Sequence, residues 1–335
     1  MTPVCPLCQG HKAVRFFESR DRIHKLPGVF TLFRCNLCEA IFYQPFLQDE
    51  ELSRYYPDSY GRYRPSRSLG RKGYQRGMRR FVLENYYGYP SGEGNHRSLL
   101  KKGLAFFLSF VLSKDAIPYR GEGNFLDIGC GGGSYLYRLK QWGWNVYGVE
   151  PGSAGVAQAR SLGLNVHHGQ IGDAGFPDDF FDAIRLSHVL EHLTDPQGTF
   201  REIRRILKSD GIVYITVPNT RSLNFRLFGE NWYGLDAPRH VISYCPETLK
   251  FLCEAMGFRI VNIRFRSGAF NFVRSMQYLI DENGDALPGW VKKVDWVHSR
   301  AIRRTLKPFF FLVDILGWGD VMHCNLMKTH QEKAI

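Results

Sequence analysis

Short apolar runs alternate with helical segments from residue 124 onward, and no other feature of the sequence constrains the fold more strongly. The runs have the length and the apolar content of buried strands. They comprise residues 124–128, 145–150, 164–168, 180–187, 211–218, 258–265 and 321–328. Strand–helix units repeated in this way predict an α/β fold with a doubly wound parallel sheet, which binds ligands at the carboxyl ends of its strands.

Local signals mark where several of the intervening helices begin and end. Asp195 and Pro196 supply an N-cap and a first helical turn for a helix that we expect to run through Lys208. The segment SYLYRLKQWG is predicted to be a helix that ends at Gly143, and CPETLKFLCEAMG is predicted to end in the same way, at Gly257.

A glycine-rich turn follows the first strand. In FLDIGCGGGSYL, residues 125–136, the glycines include Gly129, Gly131 and Gly133, directly behind Asp127. Because glycine has no side chain, the backbone N–H groups of this turn can approach a ligand closely at the start of a helix. A dinucleotide fingerprint would require a third glycine where Ser134 stands. The spacing is instead Asp-x-Gly-x-Gly-x-Gly, which weakens the dinucleotide interpretation without removing it.

That spacing resembles motif I of the class I S-adenosylmethionine (SAM)-dependent methyltransferases, and the likeness extends further along the chain. Glu150 closes the second strand, 17 residues after Gly133. The segment GQIGDAGFPDDFFDAIRLSHVLEHLTDP is similar to the family's segment from the third strand through the fourth. The resemblance implies a Rossmann-like, seven-stranded methyltransferase sheet with SAM as cofactor.

The resemblance also implies roles for single residues. Glu150 would accept hydrogen bonds from both ribose hydroxyls, although dinucleotide-binding proteins use an acid at the same place. Gln170 and Ile171 would lie beside the adenine, Ser187 near the methionine moiety, and Asp127 near its amino acid end. The implied cofactor residues are Asp127, Gly129, Gly131, Gly133, Glu150, Gln170, Ile171 and Ser187.

Four of the eight cysteines form two C-x-x-C pairs near the N-terminus. Cys5 and Cys8 are separated by 26 residues from Cys35 and Cys38. Two such turns can close a tetrahedral site around Zn²⁺, and four thiolates leave no open position for catalysis, so we expect a structural zinc ribbon that ends near residue 45. Disulfides are the competing interpretation. The remaining cysteines are predicted to be ordinary buried thiols: Cys130, Cys245, Cys253 and Cys324.

The order of ribbon and SAM domain resembles bacterial methyltransferases that carry an N-terminal zinc ribbon before a domain of the ubiquinone-type O-methyltransferases. Many of these act on saccharides or other secondary products. Sugar C-methyltransferases share the ribbon and the SAM domain but add a large C-terminal domain. The present sequence is too short for us to expect that domain in it. Sugar C-methylation therefore stays an alternative.

Three histidines are candidates for the base that removes a proton from a hydroxyl acceptor. His240, in NWYGLDAPRHVISYCP, is preferred, because the segment 219–245 is long enough for a lid over the acceptor and carries Trp232, Tyr233 and Arg239. His188 and His192 lie in SHVLEHLTDP. Ubiquinone-type enzymes resemble this segment at E-x-x-E-H, and some bind a divalent metal there. A set of His188, Glu191 and His192 is the corresponding metal alternative.

The net charge of +12 is concentrated in the N-terminal third. Residues 1–120 hold 20 Lys and Arg against 10 Asp and Glu, and eight basic residues lie between Arg62 and Arg80. Such a run suits RNA, an anionic membrane, a phosphate-bearing substrate or a solvated linker. RNA base methylation is a second function to weigh, although the sequence lacks the N/D-P-P-Y/F and Pro-Cys signatures of adenine and pyrimidine methylation after the fourth strand.

Two apolar segments are candidates for a membrane surface. The run 103–113 has 11 residues, too few to span a bilayer, and a helix is expected over 98–113. TLKPFFFLVDILGW, in an insertion at 270–318, could pack on the sheet or contact lipid. With no signal peptide in evidence, we predict a cytoplasmic protein with a peripheral membrane contact as an alternative.

These observations predict three regions: a zinc ribbon at 1–45, a basic and aromatic-rich linker at 46–120, and a SAM-methyltransferase domain at 121–335 with insertions at 219–245 and 270–318. The expected activity is methyl transfer from SAM to a hydroxyl of a small-molecule, saccharide or lipid-linked acceptor. The pattern gives no indication of the oligomeric state.

Overall fold

The computed structural model describes residues 3–47, 49–56, 77–90, 98–112, 116–283 and 287–329. Most of the predicted basic run from Arg62 to Arg80 lies outside these ranges. Within them, the seven strands expected from residue 124 onward are all present and begin and end within a few residues of their predicted bounds. The helix expected over 98–113 is likewise present.

The strands are numbered in chain order. They are β1 (Ala13–Ser19), β2 (Phe30–Cys35), β3 (Ile41–Tyr43), β4 (Asn124–Ile128), β5 (Asn145–Glu150), β6 (Asn165–His168), β7 (Phe181–Ser187), β8 (Leu207–Pro218), β9 (Ile242–Ser243), β10 (Phe258–Arg266) and β11 (Val321–Lys328).

The helices follow the same numbering. They are α1 (Asp49–Ser53), α2 (Met78–Asn85), α3 (Leu99–Leu112), α4 (Ser134–Lys140), α5 (Ser153–Ser161), α6 (Pro196–Ile206), α7 (Leu223–Phe228), α8 (Pro246–Ala255), α9 (Ala269–Asn283), α10 (Gly289–Lys293), α11 (Arg300–Thr305) and α12 (Lys307–Ile315).

A seven-stranded sheet has the order β10-β11-β8-β7-β4-β5-β6. The pairs β4–β5 and β5–β6 are parallel, as predicted. The predicted doubly wound, seven-stranded sheet is confirmed, and its last strand is an exception to the parallel direction, because β11 is antiparallel to both β8 and β10. Strand β4 is buried from Phe125 to Ile128, the pattern of a central strand covered on both faces, which explains its continuous apolar run.

A second, four-stranded sheet has the order β1-β2-β3-β9. Strand β2 leads into the second cysteine pair, and it pairs antiparallel with both β1 and β3. The fourth strand was not predicted. It consists of Ile242 and Ser243, which lie some 200 residues further along the chain and pair with Phe42 and Ile41.

The chain divides into two compact units. The larger unit comprises Met1–Asp58, Gly175–Asp179 and Ile184–Ile335. The smaller unit comprises Ser59–Ala174 and Phe180–Ala183. The glycine-rich turn belongs to the smaller unit, whereas the four N-terminal cysteines and the candidate histidines belong to the larger one. The regions predicted at 1–45, 46–120 and 121–335 remain predictions.

The insertion at 270–318 consists largely of helices α9 to α12. Phe310 and Val313 of α12 form a small core with Ala269, so one face of the apolar stripe packs inward. No helix within the described residues is both long and apolar enough to cross a membrane.

Candidate functional site

The glycine-rich turn has a backbone that depends on its alternating glycines. Gly129, Gly131 and Gly133 all have positive φ angles, of 68°, 54° and 73°, a region that disfavours residues with a side chain. Space is restricted as well. A Cβ atom on Gly133 would lie 2.4 Å from Leu164 Cδ1, and Gly133 is the residue from which α4 begins. The spacing noticed in the sequence is therefore required for the turn itself.

Glu150 binds this turn directly. The residue ends β5 and is almost completely buried. Its Oε2 accepts a hydrogen bond from the Gly131 N–H and its Oε1 accepts one from the Gly152 N–H, both at 2.8 Å. A Cβ atom on Gly155 would lie 3.1 Å from Glu150 Cγ, so this glycine keeps α5 close to the carboxylate.

The other predicted cofactor residues of the smaller unit lie at the same ends of neighbouring strands. Asp127 is buried near the end of β4 and is level with Gly148 of β5. Gln170 and Ile171 follow β6, whose His168 is level with Glu150. The structure thus brings seven of the eight predicted residues to the carboxyl ends of β4, β5 and β6. Ser187, the eighth, is the last residue of β7 and belongs to the larger unit.

The larger unit contains a cluster of three histidines around one buried glutamate. Glu191 is completely buried in a short 3₁₀ turn that follows β7. His188 Nδ1 lies 3.1 Å from Glu191 Oε1, and His240 Nε2 lies 3.9 Å from the same oxygen. Glu191 Oε2 has no hydrogen-bond partner among the described residues. A buried carboxylate with an unused acceptor is therefore the centre of the cluster.

Glu191 is ionised despite its burial. Desolvation on its own would raise the pKa of this carboxyl, but the hydrogen bond with His188 and the charges of His188, His192 and His240 lower it to about 2. The carboxylate consequently stays negative at neutral pH.

The partners of His240 determine which of its nitrogens carries the proton. Its Nδ1 lies 2.9 Å from the carbonyl oxygen of Gly234, which can only accept, so Nδ1 must donate. In the neutral ring, Nε2 then has the lone pair. Nε2 lies near two acids, 3.9 Å from Glu191 Oε1 and 4.0 Å from Asp236 Oδ2. This nitrogen can accept a proton, and both carboxylates would stabilise the cation that results.

His192 has a supporting place beside His240. Its Nδ1 lies 2.9 Å from both the Tyr56 hydroxyl and the Arg239 carbonyl oxygen, so Nδ1 again carries a proton. The rings of His192 and His240 meet edge to face, with their centroids 4.8 Å apart. Tyr56 was not predicted. A single tyrosine in a tyrosine-rich stretch gave no sequence signal for a contact with a histidine 136 residues away.

Glu191, His192 and His240 can bring one ligand atom each to within 4.8 Å of one another, close enough to hold a metal ion. The predicted alternative set was His188, Glu191 and His192. The structure replaces His188 by His240, because the ring of His188 is directed by its own hydrogen bond with Glu191.

Two residues of the predicted lid have a different place from the one expected. Arg239 was predicted as a cation facing the acceptor, yet it is completely buried. It donates hydrogen bonds to Asp21 Oδ1 at 2.7 Å and to the Asp236 carboxylate. Trp232 is also buried and donates from Nε1 to Asp320. Both residues therefore pack the segment 219–245 instead of facing an acceptor.

The four N-terminal cysteines converge on one point. Their sulfur atoms all lie within 4.8 Å of one another, and the pairs Cys5–Cys38 and Cys8–Cys35 are 3.5 Å apart. Around a tetrahedral zinc with Zn–S bonds of about 2.3 Å, neighbouring sulfurs are about 3.8 Å apart, so this donor set fits the ion. The hydrogen bond with Cys38 lowers the pKa of Cys5 to about 5, whereas burial raises the pKa of Cys8 to about 11, so the geometry of the four sulfurs is what favours the ion.

Known methyltransferases are similar to part of the chain. A family model described as a methyltransferase domain matches residues 95–263, just over half of the chain. A ubiquinone biosynthesis O-methyltransferase of Pseudomonas aeruginosa (strain UCBPP-PA14) is 35% identical over 101 residues, which are 28% of this chain and 44% of that protein. The enzyme of the same name from Pseudomonas fluorescens (strain Pf0-1) is 35% identical over 123 residues, 34% of this chain and 53% of that protein. The chain thus spans about half the length of these relatives.

Solved structures of two methyltransferases overlap with the chain over a larger part. A SAM-dependent methyltransferase from Archaeoglobus fulgidus is 23% identical, covers 69% of this chain and 93% of its own, and has a TM-score of 0.43. A TehB-like SAM-dependent methyltransferase from Corynebacterium glutamicum is 16% identical, covers 63% and 83%, and has a TM-score of 0.37. Because these TM-scores are low, the classification depends on the strand order and on the family match. On these grounds the chain belongs to the methyltransferase-domain family of class I SAM-dependent methyltransferases.

Proposed function

We propose that the protein transfers a methyl group from SAM to a hydroxyl of a small-molecule, saccharide or lipid-linked acceptor. The observation that carries this proposal is the state of His240, whose Nδ1 donates to a carbonyl while its Nε2 faces two carboxylates. Hydroxyl methylation needs a base of this kind. The names of the relatives, which are O-methyltransferases of ubiquinone biosynthesis, support the same class of acceptor atom.

In this proposal each group of residues has one task. SAM supplies the methyl group on a sulfonium that is ready to leave. The glycine turn with Glu150 holds the cofactor, with Asp127, Gln170, Ile171 and Ser187 in the supporting roles that the family resemblance implies. His240 Nε2 accepts the hydroxyl proton, and Glu191 and Asp236 stabilise the imidazolium. Holding the acceptor in line supplies much of the remaining acceleration.

We further propose that the four cysteines bind a structural zinc ion. The two cysteine turns support this, because they have the same backbone hydrogen bonds. Gln9 N donates to Cys5 O and Glu39 N to Cys35 O, while Cys5 N donates to Gly10 O and Cys35 N to Ala40 O. Equivalent turns that face each other with thiols 3.5 Å apart are typical of a two-knuckle zinc ribbon.

A peripheral contact with a membrane is part of the proposal for α12. Its outward face exposes large apolar side chains, and α11 before it has three arginines in six residues. Apolar side chains next to cations suit an anionic lipid surface. The exposed residues of this face are Phe309, Phe311, Leu312, Ile315, Leu316 and Trp318.

The acceptor class is tested by incubating the protein with methyl-labelled SAM and a cell extract, followed by partition with and without ribonuclease. We expect the label in a ribonuclease-resistant polar or lipid fraction. Label that is lost on ribonuclease treatment would contradict the proposal and would favour RNA base methylation, the second function considered from the sequence. An extract without added protein is the control.

A further inference from the structure

A cavity of about 370 Å³ lies in the larger unit, and none of its lining residues belongs to the histidine cluster. One wall comes from the four-stranded sheet, through β1, β2 and Ile41. The other comes from the segment after β8, through Thr220 to Gly229 and Cys245. The volume falls in the range of small-molecule sites. The segment 219–245 therefore carries both a wall of this cavity and the candidate base His240.

A β-bulge directs two neighbouring aromatic side chains into this cavity. Successive residues of a regular strand point to opposite faces of the sheet. In β1 the register shifts between Arg15 and Phe17, which are level with Phe33 and Leu32 of β2. Phe16 is the extra residue, and both Phe16 and Phe17 line the cavity. Bulges that redirect a side chain occur frequently beside functional sites.

The two phenylalanines form an apolar wall with a third ring. Phe16 and Phe17 are stacked with their centroids 4.0 Å apart, and Phe225 lies 6.3 Å from the first and 6.1 Å from the second. Phe16 and Phe17 are only half-buried. Their exposed surface is thus available to a ring or a hydrocarbon chain.

Three guanidinium groups line the same cavity against one carboxylate. Arg34, Arg221 and Arg226 are the cations, and Glu39 is the acid. Glu39 forms ion pairs with both Arg34 and Arg221, the second at 3.5 Å. One carboxylate cannot neutralise three guanidinium groups. The lining consequently has an excess of positive charge next to an apolar wall.

Two of these arginines keep hydrogen-bonding capacity. Arg226 is exposed and lies over the Trp318 ring at 5.6 Å, and no carboxylate among the described residues forms an ion pair with it. Arg221 has only long ion pairs, at 3.5 Å with Glu39 and 3.6 Å with Glu247, and 41% of its side-chain surface is exposed. Guanidinium groups with unused donors bind phosphate oxygens in pairs.

We propose that this cavity binds an organic diphosphate, with the phosphates on Arg221 and Arg226 and the organic group on Phe16 and Phe17. The excess positive charge matches an anion of more than one charge, and the aromatic wall requires a group beyond the phosphates. This inference rests on the proposed function, since the diphosphate would be the carrier of the acceptor. It extends that function by naming the carrier's chemistry.

Two kinds of organic diphosphate share this chemistry. A nucleoside diphosphate would stack its base on the phenylalanine rings. An isoprenoid diphosphate would pack a hydrocarbon chain against the same rings. Phe17→Leu separates them, because leucine keeps the apolar surface but removes the flat ring.

The test is isothermal titration calorimetry of the full chain, without SAM, against inorganic pyrophosphate, uridine diphosphate and geranyl diphosphate. We expect one of the two organic diphosphates to bind roughly tenfold tighter than pyrophosphate. Arg226→Ala should weaken that binding by roughly tenfold, the effect of one lost charge-assisted hydrogen bond. Arg300→Ala, which removes an exposed arginine of α11, should leave it unchanged.

Phe17→Leu identifies the source. Loss of uridine diphosphate binding in this variant supports a nucleotide carrier, and unchanged binding of geranyl diphosphate supports a lipid carrier. Equal affinity for pyrophosphate and both organic diphosphates overturns the proposal, and so does binding that Arg226→Ala leaves unchanged. Labelled methyl transfer is measured separately, so a cavity that fails to bind diphosphate leaves the methyltransferase proposal standing.

Discussion

Glu191 links the chemistry of the candidate site to the stability of the larger unit. Its carboxylate is completely buried, contacts His188 at 3.1 Å and lies 3.9 Å from His240. A charge in such surroundings is tolerated only because cationic or donor groups are close to it. The same histidines that would handle a proton therefore also keep this charge in the protein interior.

Glu191→Gln is expected to lower the free energy of unfolding at pH 7 by roughly 2–3 kcal/mol. The pKa of Glu191 is lowered from 4.5 to about 2 on folding, so its contribution is complete above pH 4.5 and is lost as the pH falls toward 2. The difference between wild type and variant should therefore be smaller at pH 3.5 than at pH 7. Urea unfolding at both pH values measures it.

The matched control for this prediction is Glu254→Gln, which changes an exposed glutamate of α8. It should leave the free energy of unfolding nearly unchanged at both pH values. A Glu191→Gln variant as stable as wild type at pH 7 would mean that the buried carboxylate is not held by its histidines.

Single residues could be predicted from the sequence where their spacing alone determines the backbone geometry. Gly129, Gly131 and Gly133 could be recognised because alternate residues of the turn need positive φ angles. Arg239 and Trp232 could not be placed correctly, because a cation or an aromatic in a loop has the same appearance in sequence whether it faces a ligand or the core. Their partners Asp21 and Asp320 lie far away along the chain.

At the level of elements, the N-terminal sheet depends on the two cysteine turns. Each turn reverses the chain through a residue with positive φ, Gln9 in the first and Glu39 in the second. Strand β2 ends at Cys35, and β3 begins three residues after Cys38. Four thiolates this close together would repel one another unless a cation lay between them.

We expect one zinc ion per chain, and loss of that ion on Cys8→Ser. Because structural zinc contributes directly to folding, the substitution should lower the melting temperature by about 10 °C. Metal analysis and calorimetry measure the two effects. Cys253→Ala, which changes a buried isolated thiol, should keep the zinc. A wild-type protein free of zinc after purification in zinc-supplemented medium would contradict the assignment.

Helix α12 is divided between two environments. Phe310 and Val313 pack against Ala269, while Phe311 and Leu312 are more than half exposed. The sequence offered core packing and lipid contact as alternatives, and the helix has one face suited to each. Packing of one face does not account for large apolar side chains on the other.

Flotation with liposomes tests the outward face of α12. Wild type is expected to float with vesicles that contain phosphatidylglycerol and to stay at the bottom with neutral vesicles, because arginines of α11 precede the apolar face. The double substitution Phe311→Ser and Leu312→Ser should reduce flotation severalfold. Val261→Ser, at a half-exposed position of β10, is the control. Wild type that stays at the bottom with anionic vesicles would exclude this contact.

The strand order could be predicted from local pattern only up to a point. Strands β4 to β8 follow from apolar runs that alternate with helices, and their order in the sheet is typical of the family that the motifs resemble. The antiparallel direction of β11 is visible only in its pairing with β8 and β10, which no local pattern reports. Strand β9 has two residues, too few for any periodicity, and its pairing with β3 is a tertiary effect.

At the scale of the whole molecule, the residues proposed for cofactor binding and those proposed for proton removal belong largely to different compact units. The glycine turn and Glu150 belong to the smaller unit, and His240 with its acidic neighbours belongs to the larger one. Cofactor binding and proton removal should consequently be separable by substitution. This separation is the central claim of the proposed mechanism.

The most direct test measures SAM affinity by calorimetry and labelled methyl transfer in parallel, for wild type, His240→Gln and Glu150→Ala. We predict that His240→Gln keeps its affinity for SAM within about twofold and loses roughly 100-fold in transfer rate. Glu150→Ala should lose at least about tenfold in affinity. His298→Gln, at an exposed histidine that is also paired with an aspartate, should match wild type in both. Undiminished transfer by His240→Gln would contradict the account.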